Sequence, residues 1–332
     1  MTVLVTGMAG FIGHAVAGAL AARGERVVGI DNLNDYYDPA LKHARLADLA
    51  ERFGGAIQFV TGDIADADAL DTAVAGRGVD RIVHLAAQAG VRYSLENPRA
   101  YVRSNLAGHV NVLELARGLG VRHLVYASSS SVYGGNRDLP FRVEDRVDHP
   151  VSLYAATKRS NELLSESYAH LFRIPQTGLR FFTVYGPWGR PDMAPWLFTS
   201  AILEGRPIKV FNNGAMRRDF TYIDDIVAGV LAALDRPPAD DGAVKPGGSV
   251  TPHALYNLGN SAAEELSRFI EAIEVACGRA AMREMYPMQP GDVSATYADI
   301  EASTRDLGFS PATPVEQGIR RFVDWYRAQY GC

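Results

Sequence analysis

Tyr154 and Lys158 stand four residues apart in the run Ser152-Leu153-Tyr154-Ala155-Ala156-Thr157-Lys158, a spacing that puts both side chains on one helix face. A free phenol ionises at a pKa of about 10 and is a poor base at neutral pH. A fixed ammonium beside it favours the phenolate, so the pair can serve as an acid/base. Alone, the spacing is equally that of a solvated helix face, and the surrounding residues must decide. Upstream lies Ala127-Ser128-Ser129-Ser130-Ser131-Val132-Tyr133-Gly134. A serine run is usually a loop, but at a strand end beside a Tyr/Lys helix its hydroxyls face a shared cleft.

The elements that position these groups start at the amino terminus. Val3-Leu4-Val5 runs into Thr6-Gly7-Met8-Ala9-Gly10-Phe11-Ile12-Gly13, and a helical pattern follows to about Arg23. Strand, glycines and helix start form the context in which backbone approaches a pyrophosphate at the positive end of a helix. A second strand, Arg26 to Ile30, ends at Asp31, where a carboxylate accepts adenosine ribose hydroxyls and repels a 2′-phosphate. These residues favour NAD over NADP. Strand-like runs at Ile57 to Thr61, Arg81 to Leu85 and His123 to Ser128 alternate with helical segments, which predicts a parallel sheet covered on both faces. Asp63-Ile64 and Leu85-Ala86-Ala87-Gln88 fall just past strand ends, on the edge where such sheets bind ligands. The stretch from Pro98 to Gly118 reads as one long helix, apolar on more than one face and suited to packing on a second subunit.

The chain has 332 residues, 47% apolar and 21% charged, with a net charge of −5. That balance leaves no basic footprint for nucleic acid and no cationic run for a membrane surface, so small molecules are the expected partners. Cys277 and Cys332 are too few for a disulfide framework and indicate a reducing compartment. The first apolar run is too short to span a bilayer and lacks the features of a signal peptide; a cytoplasmic location is expected. The eight histidines form no metal-ligand spacing, and His14 and His84 are read as packing or cofactor-side residues.

With these motifs in place, the chain resembles the extended short-chain dehydrogenase/reductase family of nucleotide-sugar enzymes, through Gly7-x-x-Gly10-x-x-Gly13, Asp31, the serine run and Tyr154-x-x-x-Lys158. The resemblance implies an α/β fold: a Rossmann-type doubly wound parallel sheet over residues 1–178, joined by parts of 222–262, and a smaller α/β substrate-binding domain over 179–332. It makes Tyr154 the catalytic base. Lys158 becomes the residue that binds nicotinamide ribose and tunes the tyrosine, and Ser129 the partner of the reacting sugar hydroxyl. It implies a tightly bound NAD held by Gly7, Gly10, Phe11, Ile12, Gly13, Asp31, Asn32, Asp63, Ile64, Leu85, Ala86, Ala87, Gln88, Asn105, Tyr154, Lys158 and Phe181. It also implies a homodimer through helices near 98–118 and 154–172.

Finer resemblance is to the UDP-glucuronate 4-epimerase branch. It is carried by Asp31-Asn32-Leu33-Asn34-Asp35-Tyr36-Tyr37-Asp38, by Ala86 to Ser94 and by Arg180 to Met193. Met8 and Gln289 depart from residues common among relatives; Gln289 stands where galactose-type epimerases tend to carry arginine. The resemblance implies substrate contacts from Arg92, Ser129, Ser130, Tyr154, Thr183, Arg190, Val210, Phe211, Arg218 and Asp292. Among these, Arg218 would bind pyrophosphate, Val210 and Phe211 would lie against uracil, and Thr183 with Ser129 and Ser130 would hold the uronate carboxylate. Family members that eliminate water or decarboxylate uronates carry acids just after the catalytic hydroxyl residue, whereas Ser130 and Ser131 stand here. The expected reaction is therefore C4 epimerisation of a UDP-hexuronic acid. The alternatives are UDP-glucose 4-epimerase and, behind it, a decarboxylase, a 5-epimerase or a non-catalytic NAD-binding protein. Arg236 to Pro252, rich in Pro, Gly and Asp, reads as a mobile surface excursion.

Overall fold

A computed structural model describes residues 1–289 and 293–332. Its first half alternates strand and helix: β1 (Thr2–Thr6), α1 (Phe11–Ala22), β2 (Arg26–Asp31), α2 (Pro39–Phe53), β3 (Ile57–Thr61), α3 (Ala67–Val74) and β4 (Val79–His84). Two short helical turns follow, α4 (Tyr93–Glu96) and α5 (Pro98–Tyr101). Then come α6 (Gly108–Leu119), β5 (His123–Ser129), α7 (Leu153–Phe172) and β6 (Gln176–Phe181). The single helix expected over 98–118 is interrupted, because Val102–Ala107 forms a π-helical turn between α5 and α6. Asn105 lies in that turn and spends its side chain on the Gln88 backbone and the Thr157 hydroxyl.

The second half comprises β7 (Thr183–Tyr185), α8 (Ala194–Glu204), β8 (Ile208–Val210), β9 (Arg217–Tyr222), α9 (Ile223–Leu234), β10 (His253–Leu258), β11 (Ala263–Glu265), α10 (Leu266–Cys277), β12 (Arg283–Met285), α11 (Glu301–Leu307) and α12 (Val315–Tyr330). Seven strands form a fully parallel sheet in the order β10-β6-β5-β4-β1-β2-β3. A Rossmann-type doubly wound α/β fold is thus the architecture. A three-stranded sheet, β11-β9-β7, and a pair, β12-β8, stand apart from it.

Parallel strands covered on both faces need apolar side chains in both directions. In β1, Val3 and Val5 join the core under α1 and α9, while Leu4 joins the core under α3 and α6. Met8 is fully buried because β2 carries Gly29 opposite it; a Cβ on Gly29 would sit 2.2 Å from the Met8 sulfur. The order reverses between β1 and β4, creating a crevice at their carboxyl ends. The excursion from 236 to 252, expected to be mobile, is tied down. Ser249 Oγ donates to Glu166 at 2.9 Å, and Arg173 pairs with Asp240. No helix among the described residues is long and apolar enough to cross a membrane.

Candidate active site

The site opens at the β1–α1 turn. Gly7 has φ +72°, and a Cβ on it would lie 2.7 Å from the backbone nitrogen of Ala86. A Cβ on Gly13 would meet the Gly7 carbonyl at 2.0 Å. Only glycine permits this approach of turn, helix and β4. Gly10 caps α1 without a side-chain hydrogen bond, leaving first-turn N–H groups for an anion.

One cavity runs along this edge, lined by Gly7, Gly10, Phe11, Ile12, Gly13, Asp31, Asn32, Asp63, Ile64, Leu85 to Gln88, Tyr154, Lys158 and Phe181. Asp31 Oδ1 accepts the Leu33 N–H at 2.9 Å. Burial raises its pKa, against backbone N–H groups and Lys42 that lower it. The ammonium of Lys42 is engaged by the Asn34 carbonyl and Oδ1 at 2.7 and 2.8 Å. A glycine cradle that a Cβ would fill, followed by a carboxylate at the end of β2, is a donor set that fits NAD.

Of the residues expected to hold this cofactor, Asn105 alone does not line the cavity. Its Oδ1 accepts the Gln88 N–H at 2.8 Å, and its Nδ2 donates to the Gln88 carbonyl and to Thr157 Oγ1, both at 3.0 Å. It is buried behind the wall and fixes the backbone that forms it.

Tyr154 and Lys158 project from the first turns of α7, whose start is capped by Ser152 Oγ accepting the Ala155 N–H at 3.1 Å. Burial raises the Tyr154 pKa, while a hydrogen bond with Ser129 and the charge of Arg190 lower it. Burial drops the Lys158 pKa to about 8, with Glu162 acting to raise it. Lys158, expected to tune the phenol, is anchored on the strand beside it. Its Nζ donates to the Ala127 carbonyl at 2.8 Å, and the groups lowering the phenol pKa are Ser129 and Arg190. That bond uses one of the three donors of the ammonium and fixes it at the end of β5.

The serines divide their duties. Ser128 Oγ donates to Glu162 at 2.6 Å, Ser129 Oγ lies 3.2 Å from Ser131 Oγ, and Ser130 faces a second cavity. Glu162, one turn beyond Lys158, is buried with Arg180, which donates to it through Nε at 2.8 Å and Nη2 at 3.1 Å. This ion pair underlies the serine segment and was not among the expected residues. The repeated spacing of four from Tyr154 through Lys158 was its signal.

The second cavity, about 990 Å³, is lined by Arg92, Ser129, Ser130, Tyr154, Thr183, Arg190, Phe211 and Arg218. It joins the first at Tyr36, Ser129, Tyr154, Phe181, Phe182, Arg190 and Met193. The Arg92 guanidinium lies 4.7 Å from the Phe211 ring centroid, and Arg218 Nη2 donates to the Val293 carbonyl at 2.6 Å. Val210, expected against uracil, is buried in the core and does not line the cavity. Asp292 lies outside the described residues. Tyr36 had no assigned role, although it faces both cavities. The expected packing role of the histidines agrees with their burial: His84 Nδ1 lies 2.7 Å from Thr6 Oγ1, and His14 Nε2 lies 2.8 Å from Asp48. Among the described residues no cluster of three or more potential metal ligands occurs.

Comparison with known proteins gives a consistent picture. The model of the NAD dependent epimerase/dehydratase family matches residues 3–245. A probable UDP-glucuronate 4-epimerase of Rhizobium meliloti is 48% identical over 99% of this chain and 98% of its own. The crystal structure of UDP-glucuronic acid 4-epimerase from Bacillus cereus, in complex with UDP-glucuronic acid and NAD, superposes with a TM-score of 0.88 at 33% identity. It covers 99% of this chain and all of that one. A Thermotoga maritima UDP-glucose 4-epimerase with UDP-glucose gives 0.86 at 27% identity, over 99% of each chain.

Proposed function

Because the chain belongs to the NAD-dependent epimerase/dehydratase family, we propose that it is a UDP-glucuronate 4-epimerase, interconverting UDP-glucuronate and UDP-galacturonate with a retained NAD. The observation that carries the reading is the junction of the two cavities at Ser129 and Tyr154. There a sugar C4 can stand against both the acid/base and the cofactor. Held by the first cavity, NAD would supply reversible hydride exchange at C4 of the sugar.

The protein's own residues do the rest. Tyr154 takes the proton of the 4-hydroxyl and later gives it back, while Ser129 shares the hydrogen bond and positions that oxygen. Lys158, held on the Ala127 carbonyl and lining the first cavity, would bind the nicotinamide ribose. Arg190 lies close enough to the phenol to favour its ionised form. Thr183 and Ser130 hold the uronate carboxylate, with Arg92 nearby, and a carboxylate held charged and out of line with the keto group resists loss of carbon dioxide. Arg218 binds the pyrophosphate, and Phe211 packs on the base. The width of the second cavity lets the keto sugar turn over between the two half-reactions. Ser130 and Ser131 supply no carboxylate for proton removal at C5, so dehydration and C5 epimerisation are disfavoured.

The same reading divides the chain into a cofactor unit of residues 1–178, joined by β10 and its neighbours within 222–262, and a nucleotide-sugar unit of 179–332. It also places the protein in the cytoplasm as a homodimer. Val102, Leu163, Leu171 and Phe172 are exposed apolar residues on the helical stretches expected to pair, and covering them would favour association.

Proton NMR of UDP-glucuronate incubated with the purified protein tests the function. The expected outcome is a change of the C4 proton pattern from gluco to galacto, with UDP-glucose turned over far more slowly. An unchanged spectrum from folded, NAD-loaded protein defeats the reading.

A further inference from the structure

Three loops meet over the boundary between the cavities, and Tyr36 is where they touch. It follows β2 on the loop that begins with Asp31, and its hydroxyl donates to Asp192 Oδ2 at 3.0 Å. Asp192 also pairs with Arg190, whose Nε donates to Oδ1 at 3.0 Å and whose Nη2 reaches Oδ2. The Tyr36 ring packs on Tyr93 with centroids 4.8 Å apart, which brings in the loop after β4. In that loop Gly90 has φ +103°, and a Cβ on it would stand 2.7 Å from the Tyr36 hydroxyl. Glycine at 90 is what leaves room for the hydroxyl to reach Asp192.

The base of the same arrangement is fixed separately. Arg45 is fully buried. Its Nη1 donates to the Ala9 carbonyl at 2.9 Å and to the Tyr37 hydroxyl at 2.6 Å, and its Nη2 donates to the Trp188 carbonyl at 2.6 Å. The loop carrying Arg190 and Asp192 is therefore anchored to the glycine turn at its root. Its tip is held to the loop after β2 by the Tyr36 hydroxyl on the Asp192 carboxylate, with the Arg190 guanidinium 6.0 Å from the Tyr36 ring centroid.

We propose that Tyr36 and Asp192 form a clasp that retains the dinucleotide, with Tyr36 as a positioning residue and Gly90 the clearance it needs. The clasp closes the loop that lines the adenosine end of the first cavity onto the loop that lines the second, so the cofactor leaves only when this contact opens. An epimerase has cause to keep one: its cofactor is reduced and reoxidised within a turnover, and escape in between strands the keto sugar. The inference rests on the reading of the protein as an NAD-retaining epimerase, but its test needs no sugar.

Holoprotein is diluted, and the NAD remaining bound is separated by rapid gel filtration at intervals and quantified after acid release. Loss of a hydrogen bond to a charged group predicts roughly 10- to 100-fold faster cofactor loss for Tyr36→Phe, which keeps the ring packing. Asp192→Ala, which also frees Arg190, should lose NAD at least as fast. The double variant should be no faster than Asp192→Ala alone, since the hydroxyl–carboxylate contact is already lost there. Gly90→Ala should also shorten retention by displacing the hydroxyl. Circular dichroism of each NAD-loaded variant checks its fold. A Tyr36→Phe protein that keeps NAD within twofold of the wild-type half-life overturns the proposal, as do single effects that multiply in the double variant. Because retention is read without substrate, a protein inactive on UDP-glucuronate but showing these half-lives would refute the substrate and leave the clasp standing.

Discussion

Tyr154 is held between opposed influences: burial makes its phenol harder to ionise, and Ser129 and Arg190 make it easier. Removing the Ser129 hydroxyl leaves burial less opposed, so the phenol pKa must rise. Ser129→Ala is accordingly expected to move the acidic limb of the kcat–pH profile to higher pH and to lower kcat at neutrality. A profile that falls in height without moving would mean that Ser129 only orients the sugar. Tyr154→Phe should cost about 10²- to 10⁴-fold in kcat, the usual worth of a positioned acid/base, while bound NAD is kept. Tyr154 and Ser129 were readable from type and spacing, because chemistry restricts which residues can stand there. The roles of Lys158 and Asn105 were less so, because a side chain's partner is a matter of tenths of an ångström. Lys158 turned to the Ala127 carbonyl, and Asn105 to Gln88.

At the scale of elements, α7 does more than present Tyr154. Its next inward turns carry Lys158 and Glu162, and Glu162 is bound by Arg180 from β6 and by Ser128 from β5. Burial alone would raise the Glu162 pKa, but Arg180 and Ser128 bring it below the ordinary value, so it is a carboxylate at neutral pH. Removing one partner of a buried pair strands the other charge and costs about 3–5 kcal/mol. Glu162→Gln is therefore expected to lower the urea midpoint by that worth of stability, and to loosen the serine segment enough to raise KM. A variant as stable as wild type would show that water already reaches Arg180. The helix was legible from its pattern and its Ser152 cap, whereas its inner face was not, because Arg180 lies on a different strand. The π turn of Val102–Ala107 was equally hidden: it is bridged to β4's end by Asn105, a contact between residues distant in sequence.

Over the whole molecule, what could be read from sequence was the alternation that builds the sheet from β1 to β5. The entry of β10 at its far edge, beside β6, follows a long detour through the second half; no local pattern specifies such a pairing. A consequence of this packing reaches across the fold. His14, His84, His109 and His123 are buried on or beside the sheet. Burial lowers the pKa of His14 to about 4, of His109 to about 3 and of His123 to about 4, and it holds His84 well below the ordinary histidine value. Below a pH of about 6.5 the unfolded chain takes up a proton at each of these sites and the native chain does not. The unfolded state then binds more protons, and stability falls as pH falls. Asp219, raised by burial to about 6, and Asp31 and Asp224, also raised by burial, act in the opposite sense, because the native chain holds their protons more tightly. Four histidines outweigh three carboxyls. Lowering the pH from 7 to 5 should therefore remove stability on the order of 3–5 kcal/mol, seen as a lower urea midpoint at unchanged m. Equal midpoints at the two pH values would mean that these imidazoles are hydrated in the native protein and that the packing described around β4, β5 and α6 is looser than their contacts require.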